Sequence, residues 1–147
     1  MVQGKFYSGQ EDLAVIKEIR KQVFKDSFMW EDEKECLSMH AVVYADDRAV
    51  GTGRIFYDGW ECIISHVGVL KAYRGRGLGD FIVRLLIDKA VLSNVEEICL
   101  TAGKDTFAFF EKIGFKKESG KHGQEEEAVN MRLNRKDISR CCDCHEN

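Results

Sequence analysis

The sequence predicts one mixed α/β domain, an α+β arrangement with a mostly antiparallel central sheet flanked by helices. Three observations lead there. Three consecutive β-prone runs between Met39 and Val69 are separated only by short turns carrying Asp and Gly, the pattern of antiparallel hairpins. A long amphipathic stretch, Leu78 to Ser93, follows them. A further strand-like run then begins at Glu97, so it returns parallel to the third hairpin strand through a right-handed crossover. The chain has 147 residues, a single-domain length that buries about two thirds of its unfolded surface.

The elements follow in order. Lys5 to Ser8 is a short strand candidate. Gln10 to Phe24 has apolar residues at helical spacing, Leu13, Ile16, Ile19, Val23 and Phe24. Ser8 is placed as its N-cap, with Glu11 as capping-box partner. Lys25 to Glu35 is acidic and aromatic without a period, a loop with room for a short helix. The hairpin strands are Met39–Ala45, Ala49–Tyr57 and Trp60–Val69, joined by Asp46-Asp47-Arg48 and Asp58-Gly59. In the next helix Leu78, Phe81, Ile82, Leu85, Leu86 and Ala90 form one apolar stripe. Glu97–Ala102 is the parallel strand. Asp105–Ile113 is a short helix closed by Gly114. Phe115–Ser119 and Ala128–Asn134 form a last strand pair. Residues 1–134 read as the domain and 135–147 as a tail.

Composition excludes several classes. There is no proline, so no polyproline recognition segment or proline-stiffened linker exists. The net charge of -3 disfavours non-specific nucleic-acid binding. No apolar run approaches the roughly 18 residues of a membrane span. The start shows no secretion signal. A cytoplasmic protein is therefore expected, and its scattered Cys36, Cys62 and Cys99 read as small buried apolar residues rather than disulfides.

The chemistry concentrates in Arg74-Gly75-Arg76-Gly77-Leu78-Gly79, which runs from a strand into the amphipathic helix. A helix N-terminus presents unmet backbone N–H groups and about half a positive charge. Glycines remove the side chains that would hold a ligand off that backbone. Arg74 and Arg76 add two cations, giving an anion site suited to a pyrophosphate. The bland alternative is a tight turn with solvated arginines. The order fits neither a Walker loop nor a dinucleotide fingerprint.

Arg74-x-x-Gly77-x-Gly79 resembles the Gln/Arg-x-x-Gly-x-Gly/Ala signature of the GNAT acyl-CoA-dependent N-acetyltransferases. Phe109-Phe110-Glu111-Lys112-Ile113-Gly114-Phe115 resembles a second segment of that superfamily, and Ile19-Arg20-x-x-Val23-Phe24 the first helix of many small bacterial members. The resemblance implies a GNAT-like fold whose parallel strand pair splays apart, with acetyl-CoA as co-substrate. The pyrophosphate would lie on the backbone of Arg74, Gly75, Arg76, Gly77, Leu78 and Gly79. The pantetheine would run like an added strand beside Val67, Gly68 and Val69, with Phe107 and Phe110 near it; plain core packing is the other account of those two rings. Two departures stand out. Lys71 replaces a common proline where only extended backbone is needed. Phe110 replaces the tyrosine that protonates the leaving thiolate in many members, and a phenyl ring has no proton to give.

Acetyl transfer needs a neutral amine, so a base or water relay is expected. On the third hairpin strand Glu61 ranks first and His66 second; a surface ion pair and a structural histidine are the respective alternatives. His40 and His122 are weaker candidates. Asp26, Glu31, Asp32, Glu33 and Glu35 in one loop, and Glu125, Glu126 and Glu127 in another, suggest an acidic mouth favouring a small cationic amine. A protein lysine or N-terminus, and a non-catalytic acyl-CoA-binding role, are the competing readings. A homodimer is compatible with the sequence. Cys141, Cys142, Cys144 and His145 crowd the tail, but adjacent cysteines lack the spacer of zinc sites, so no metal site is assigned.

Overall fold

The computed structural model describes residues 1–24, 32–118 and 128–138. Its elements are β1 (Val2–Ser8), α1 (Ala14–Val23), β2 (Met39–Ala45), β3 (Arg48–Asp58), β4 (Glu61–Val69), α2 (Leu78–Leu92), β5 (Glu97–Gly103), α3 (Phe107–Ile113), β6 (Lys116–Lys117) and β7 (Ala128–Asn134). Among the described residues they build a sheet of order β1-β2-β3-β4-β5-β7-β6. All neighbours are antiparallel except β4 and β5. The predicted class and the parallel crossover therefore hold.

Several boundaries move for local reasons. At Ser8 the capping pattern closes a turn rather than a helix. The Ser8 N–H donates to the Glu11 carboxylate at 2.6 Å and the Gln10 N–H to Ser8 Oγ at 3.1 Å. The helix starts later, at Ala14, whose N–H donates to Asp12 Oδ1 at 3.0 Å. In the β2–β3 hairpin, Arg48 joins the strand opposite Ala45, leaving Asp46 and Asp47 as the loop. Both have positive φ, 52° and 67°, as a type I′ turn requires. The next loop is Gly59-Trp60 rather than Asp58-Gly59, because Asp58 pairs with Glu61. Gly59, at φ 64°, takes the first central position. The last strand of the sheet shortens to two residues at β6.

The two long helices cover opposite faces. A Cβ on Gly53 would meet Ile82 of α2 at 2.7 Å, with Val67 beside it, so α2 lies against that face of β3 and β4. Gly68, one residue on from Val67, faces the other way. A Cβ there would meet Val23 of α1 at 2.6 Å. Ile16, Val42, Ile55, Ile82, Leu86 and Ile98 are among the fully buried aliphatics that result. Phe81 and Leu85 of the predicted stripe pack at its margin. Cys62 is buried as expected and Cys99 is half-buried, whereas Cys36 is exposed, within a short helical turn, Glu35–Leu37.

Candidate active site

β4 and β5 pair only over Glu61–Ile63 and Glu97–Cys99, then diverge. Beyond Ile63, β4 runs with its β5-facing edge unpaired along a cleft of about 930 Å³. Ile64, Val67, Gly68 and Val69 line one side, Leu100 and Thr101 the other. At one end lies the glycine loop. Gly75 and Gly77 have φ of 81° and 77°, and no atom within 4 Å would meet a Cβ on either. Gly77 is the N-cap of α2 and no side chain caps that helix. The backbone there is therefore open, with its N–H groups available to an anion.

Midway along this unpaired edge β4 bulges. Gly53 opposes two residues, His66 and Val67, between the pairs Thr52–Gly68 and Arg54–Ser65. His66 takes φ 55°, a left-handed conformation that non-glycine residues adopt sparingly and often at functional sites. His66 lines the cleft, its ring stands edge-on to Phe24 at 6.3 Å, and its Nδ1 lies 2.9 Å from Ser65 Oγ. Burial, then the nearby Arg54 and Arg20 cations, hold the imidazole pKa down at about 4. It is neutral at pH 7.

Behind His66 is a buried ion network. Arg54 donates through Nε to Ser65 Oγ at 3.1 Å, and through Nη1 to Glu35 Oε1 at 3.1 Å. It also grips Asp32 with both terminal nitrogens. Arg20 of α1 pairs with Glu35 from the other side. Arg20 also donates to His40 Nδ1 at 3.3 Å, so the His40 Nε2–H donates to the Glu35 carbonyl at 3.4 Å. His40 is fully buried here, and burial lowers its pKa. Among the described residues two arginines meet two carboxylates here.

Several expectations change accordingly. Glu61 stands at the β5-paired end of β4, outside the cleft lining. Its carboxylate accepts from Arg132 at 2.6 Å and from the Cys99 thiol at 3.3 Å, and these bonds hold its pKa low. Arg132 is shared with Glu97 and Glu118, so Glu61 belongs to a surface ion cluster. Asp32 and Glu35 are engaged by arginines rather than free at an acidic mouth. Asp26, Glu31, His122, Glu125, Glu126, Glu127 and the tail residues Cys141, Cys142, Cys144 and His145 lie outside the described residues. Among the described residues no His, Cys, Asp and Glu group is arranged to hold a metal.

The predicted cofactor loop fares differently along its length. Arg74 lines the cleft and donates Nε–H to the Val69 carbonyl at 2.9 Å, tying the loop to the end of β4. Arg76 stands 5.1 Å over the Tyr73 ring, outside the lining. Phe110 lines the cleft, 93% of it buried between Phe109 at 4.9 Å and Phe115 at 5.9 Å. Phe107 does not reach the cleft; Phe109 does, beside Gly79. Sequence reasoning missed Phe109, Ser65, Arg54 and the bulge. A sequence signal existed for Arg54, a charge flanked by Gly53 and Ile55 inside a β-prone run.

Comparison with known proteins places these features. The acetyltransferase (GNAT) family matches residues 9–115, and the chain belongs to that family. The chain is 31% identical over 85 residues to the uncharacterized N-acetyltransferase YjcF of Bacillus subtilis (strain 168), covering 58% of this chain and 61% of that one. An acyl-CoA N-acyltransferase from Pseudomonas aeruginosa shares the fold with a TM-score of 0.77 at 17% identity, over 90% of this chain and 99% of that one. So does the PaiA N-acetyltransferase of Thermoplasma acidophilum, solved in complex with coenzyme A, with a TM-score of 0.72 at 14% identity over 91% and 99%. The protein is thus an acyl-CoA-dependent N-acetyltransferase with acetyl-CoA as co-substrate. No described helix is long and apolar enough to cross a membrane.

Proposed function

We propose that this acetyltransferase acetylates a primary amine of a small cationic molecule, by direct attack of the neutral amine on the thioester of acetyl-CoA. The observation that carries the reading is the cleft, which has an open helix N-terminus at one end and His66 along its β4 wall. The residues fit the co-substrate. Gly77 and Gly75 leave the backbone clear for a pyrophosphate, with Arg74 and Arg76 adding charge. Val67, Gly68 and Val69 offer an unpaired strand edge to the pantetheine amides, and Phe110 offers it an apolar wall. The co-substrate supplies the activated acyl group and a thiolate whose pKa near 8.5 lets it leave without a strong acid.

An ammonium acceptor must first lose a proton, and at pH 7 only a small fraction has done so. Glu33 is exposed and makes no ion pair among the described residues, so its charge is open to a cation. A thiol-release assay against di- and polyamines, aminoglycosides, amino acids and lysine peptides tests the acceptor class. Turnover confined to small cationic amines is the expected result. Turnover only on peptides, or modified lysines in a treated lysate, would replace the acceptor with protein.

A further inference from the structure

We infer that His66 serves the transfer as a neutral hydrogen-bond donor, its Nε2–H open to the cleft, and that Ser65 and Arg54 are positioning residues that fix this form. The role in catalysis rests on the transfer reading above; the tautomer does not.

The hydrogen-bond inventory determines the tautomer. A guanidinium only donates, so the Arg54 Nε–H occupies Ser65 Oγ as an acceptor. The Ser65 hydroxyl then needs an acceptor for its own proton. Among the described residues His66 Nδ1, at 2.9 Å, is the one recorded for it. Were Nδ1 to carry the proton instead, Oγ would face two donors and its own hydrogen would have no protein partner beside a cation. Nδ1 therefore accepts, and Nε2 carries the hydrogen. Among the described residues Nε2 has no hydrogen-bond partner, and it is not one of the fully buried side-chain nitrogens that lack one. His66 and Phe24, whose rings meet edge-on, both line the cleft, and Nε2 is taken as open to it.

The surroundings keep the ring in this form. Arg54 of β3 and Arg20 of α1 face it and oppose an imidazolium, Asp32 and Glu35 favour one, and burial outweighs both. A ring so held has no free lone pair for the incoming ammonium proton, so it is not the base. It is a fixed donor beside the cleft, the kind of group that stabilises charge developing on a reacting thioester. This chain lacks the tyrosine hydroxyl at Phe110 of α3, and His66 supplies a donor from β4. In the step, the amine nitrogen bonds to the carbonyl carbon and the C=O pair moves onto oxygen. That pair returns as the carbon–sulfur bond breaks, the thiolate leaves, and the amine's proton passes to water. His66 neither gains nor loses a proton.

Nitrogen-15 NMR of the full chain labelled at histidine tests this without any turnover, the His66 signals being assigned by their loss in His66→Gln. Expected is a proton on Nε2, a bare Nδ1, and no titration near pH 6.5; a proton on Nδ1, or titration near 6.5, overturns the assignment. In Ser65→Ala the tautomer preference should weaken. Kinetically, His66→Ala should lower kcat by about 100-fold with KM for acetyl-CoA little changed, the loss typical of one removed donor. His66→Gln, whose amide can donate from the same reach, should recover part of it. Equal loss in both variants, or none in either, overturns the donor role. Absence of any turnover in the unsubstituted protein, with Nε2 protonated, removes the catalytic role and leaves the tautomer standing.

Discussion

Arg54 and Asp32 form a two-pronged ion pair, Nη1 to Oδ1 at 2.7 Å and Nη2 to Oδ2 at 3.0 Å. The guanidinium is buried and the carboxylate is partly open to solvent. Through this contact the segment before β2 is tied to the middle of the sheet, directly behind the bulge that carries His66. Bidentate geometry fixes direction as well as distance. The same arginine thus meets both Ser65, beside His66, and Asp32 in the segment before β2.

Removing the inner carboxylate should cost more than removing the outer one. Glu35 is 8% exposed and faces both Arg20 and Arg54. Glu35→Ala removes the buried carboxylate that both arginines face, a loss of about 3–5 kcal/mol. Asp32→Ala should cost clearly less, because Glu35 still faces Arg54. Urea unfolding of both variants gives the comparison, and equal losses would contradict the proposed burial order.

Stability should decline on mild acidification. The folded His66 holds its pKa at about 4, below the ordinary value near 6.5, and His40 is shifted the same way. As pH falls from 6.5 towards 4 the unfolded chain therefore takes up protons that the folded chain refuses. The slope is about 1.4 kcal/mol per pH unit for each such proton. Asp32, held down at about 2 by Arg54, adds a second loss below pH 4. Urea midpoints at pH 7.5 and 5.5 should differ, and His66→Gln should narrow the gap.

Gly77→Asp isolates the anion site. Aspartate tolerates the left-handed conformation better than most residues, and its Cβ would meet nothing within 4 Å. The fold should persist while a carboxylate enters the space meant for a pyrophosphate. Coenzyme A affinity by calorimetry should fall at least about tenfold, or 1.4 kcal/mol. Unchanged affinity would remove the loop from the binding site.

Phe110 has a structural duty besides lining the cleft. Phe110→Ala opens a cavity between Phe109 and Phe115 and should cost about 3–5 kcal/mol of stability. A loss below about 1 kcal/mol would mean that the ring is a cleft wall and little more.

Regular elements were legible because they follow local periodicity. Met39–Ala45 is bounded by a two-residue turn, and the Leu78 helix carries a strong apolar stripe and an open glycine start. The glycine loop was legible for the same reason. Glu61 misled because strand position in sequence does not reveal which end of β4 stays paired, and that depends on where β5 departs. Ser8 and Glu11 showed the right contacts and the wrong consequence, since a capping pattern also closes a turn. The role of His66 needed the bulge, a mismatch between β3 and β4 that neither strand displays alone.

The divergence of β4 from β5 has a thermodynamic corollary. Only three residue pairs join the two parts of the sheet at that seam, and beyond them β4 and β5 are separated by the cleft. A ligand laid along β4 would act there as a missing strand, and its binding energy would appear as cohesion between two half-sheets. At a hundredfold excess over Kd, that linkage amounts to about 2.7 kcal/mol of added resistance to unfolding. Amides of β4 and β5 flanking the cleft should then slow in hydrogen exchange together, while those of β1 and β2 change little.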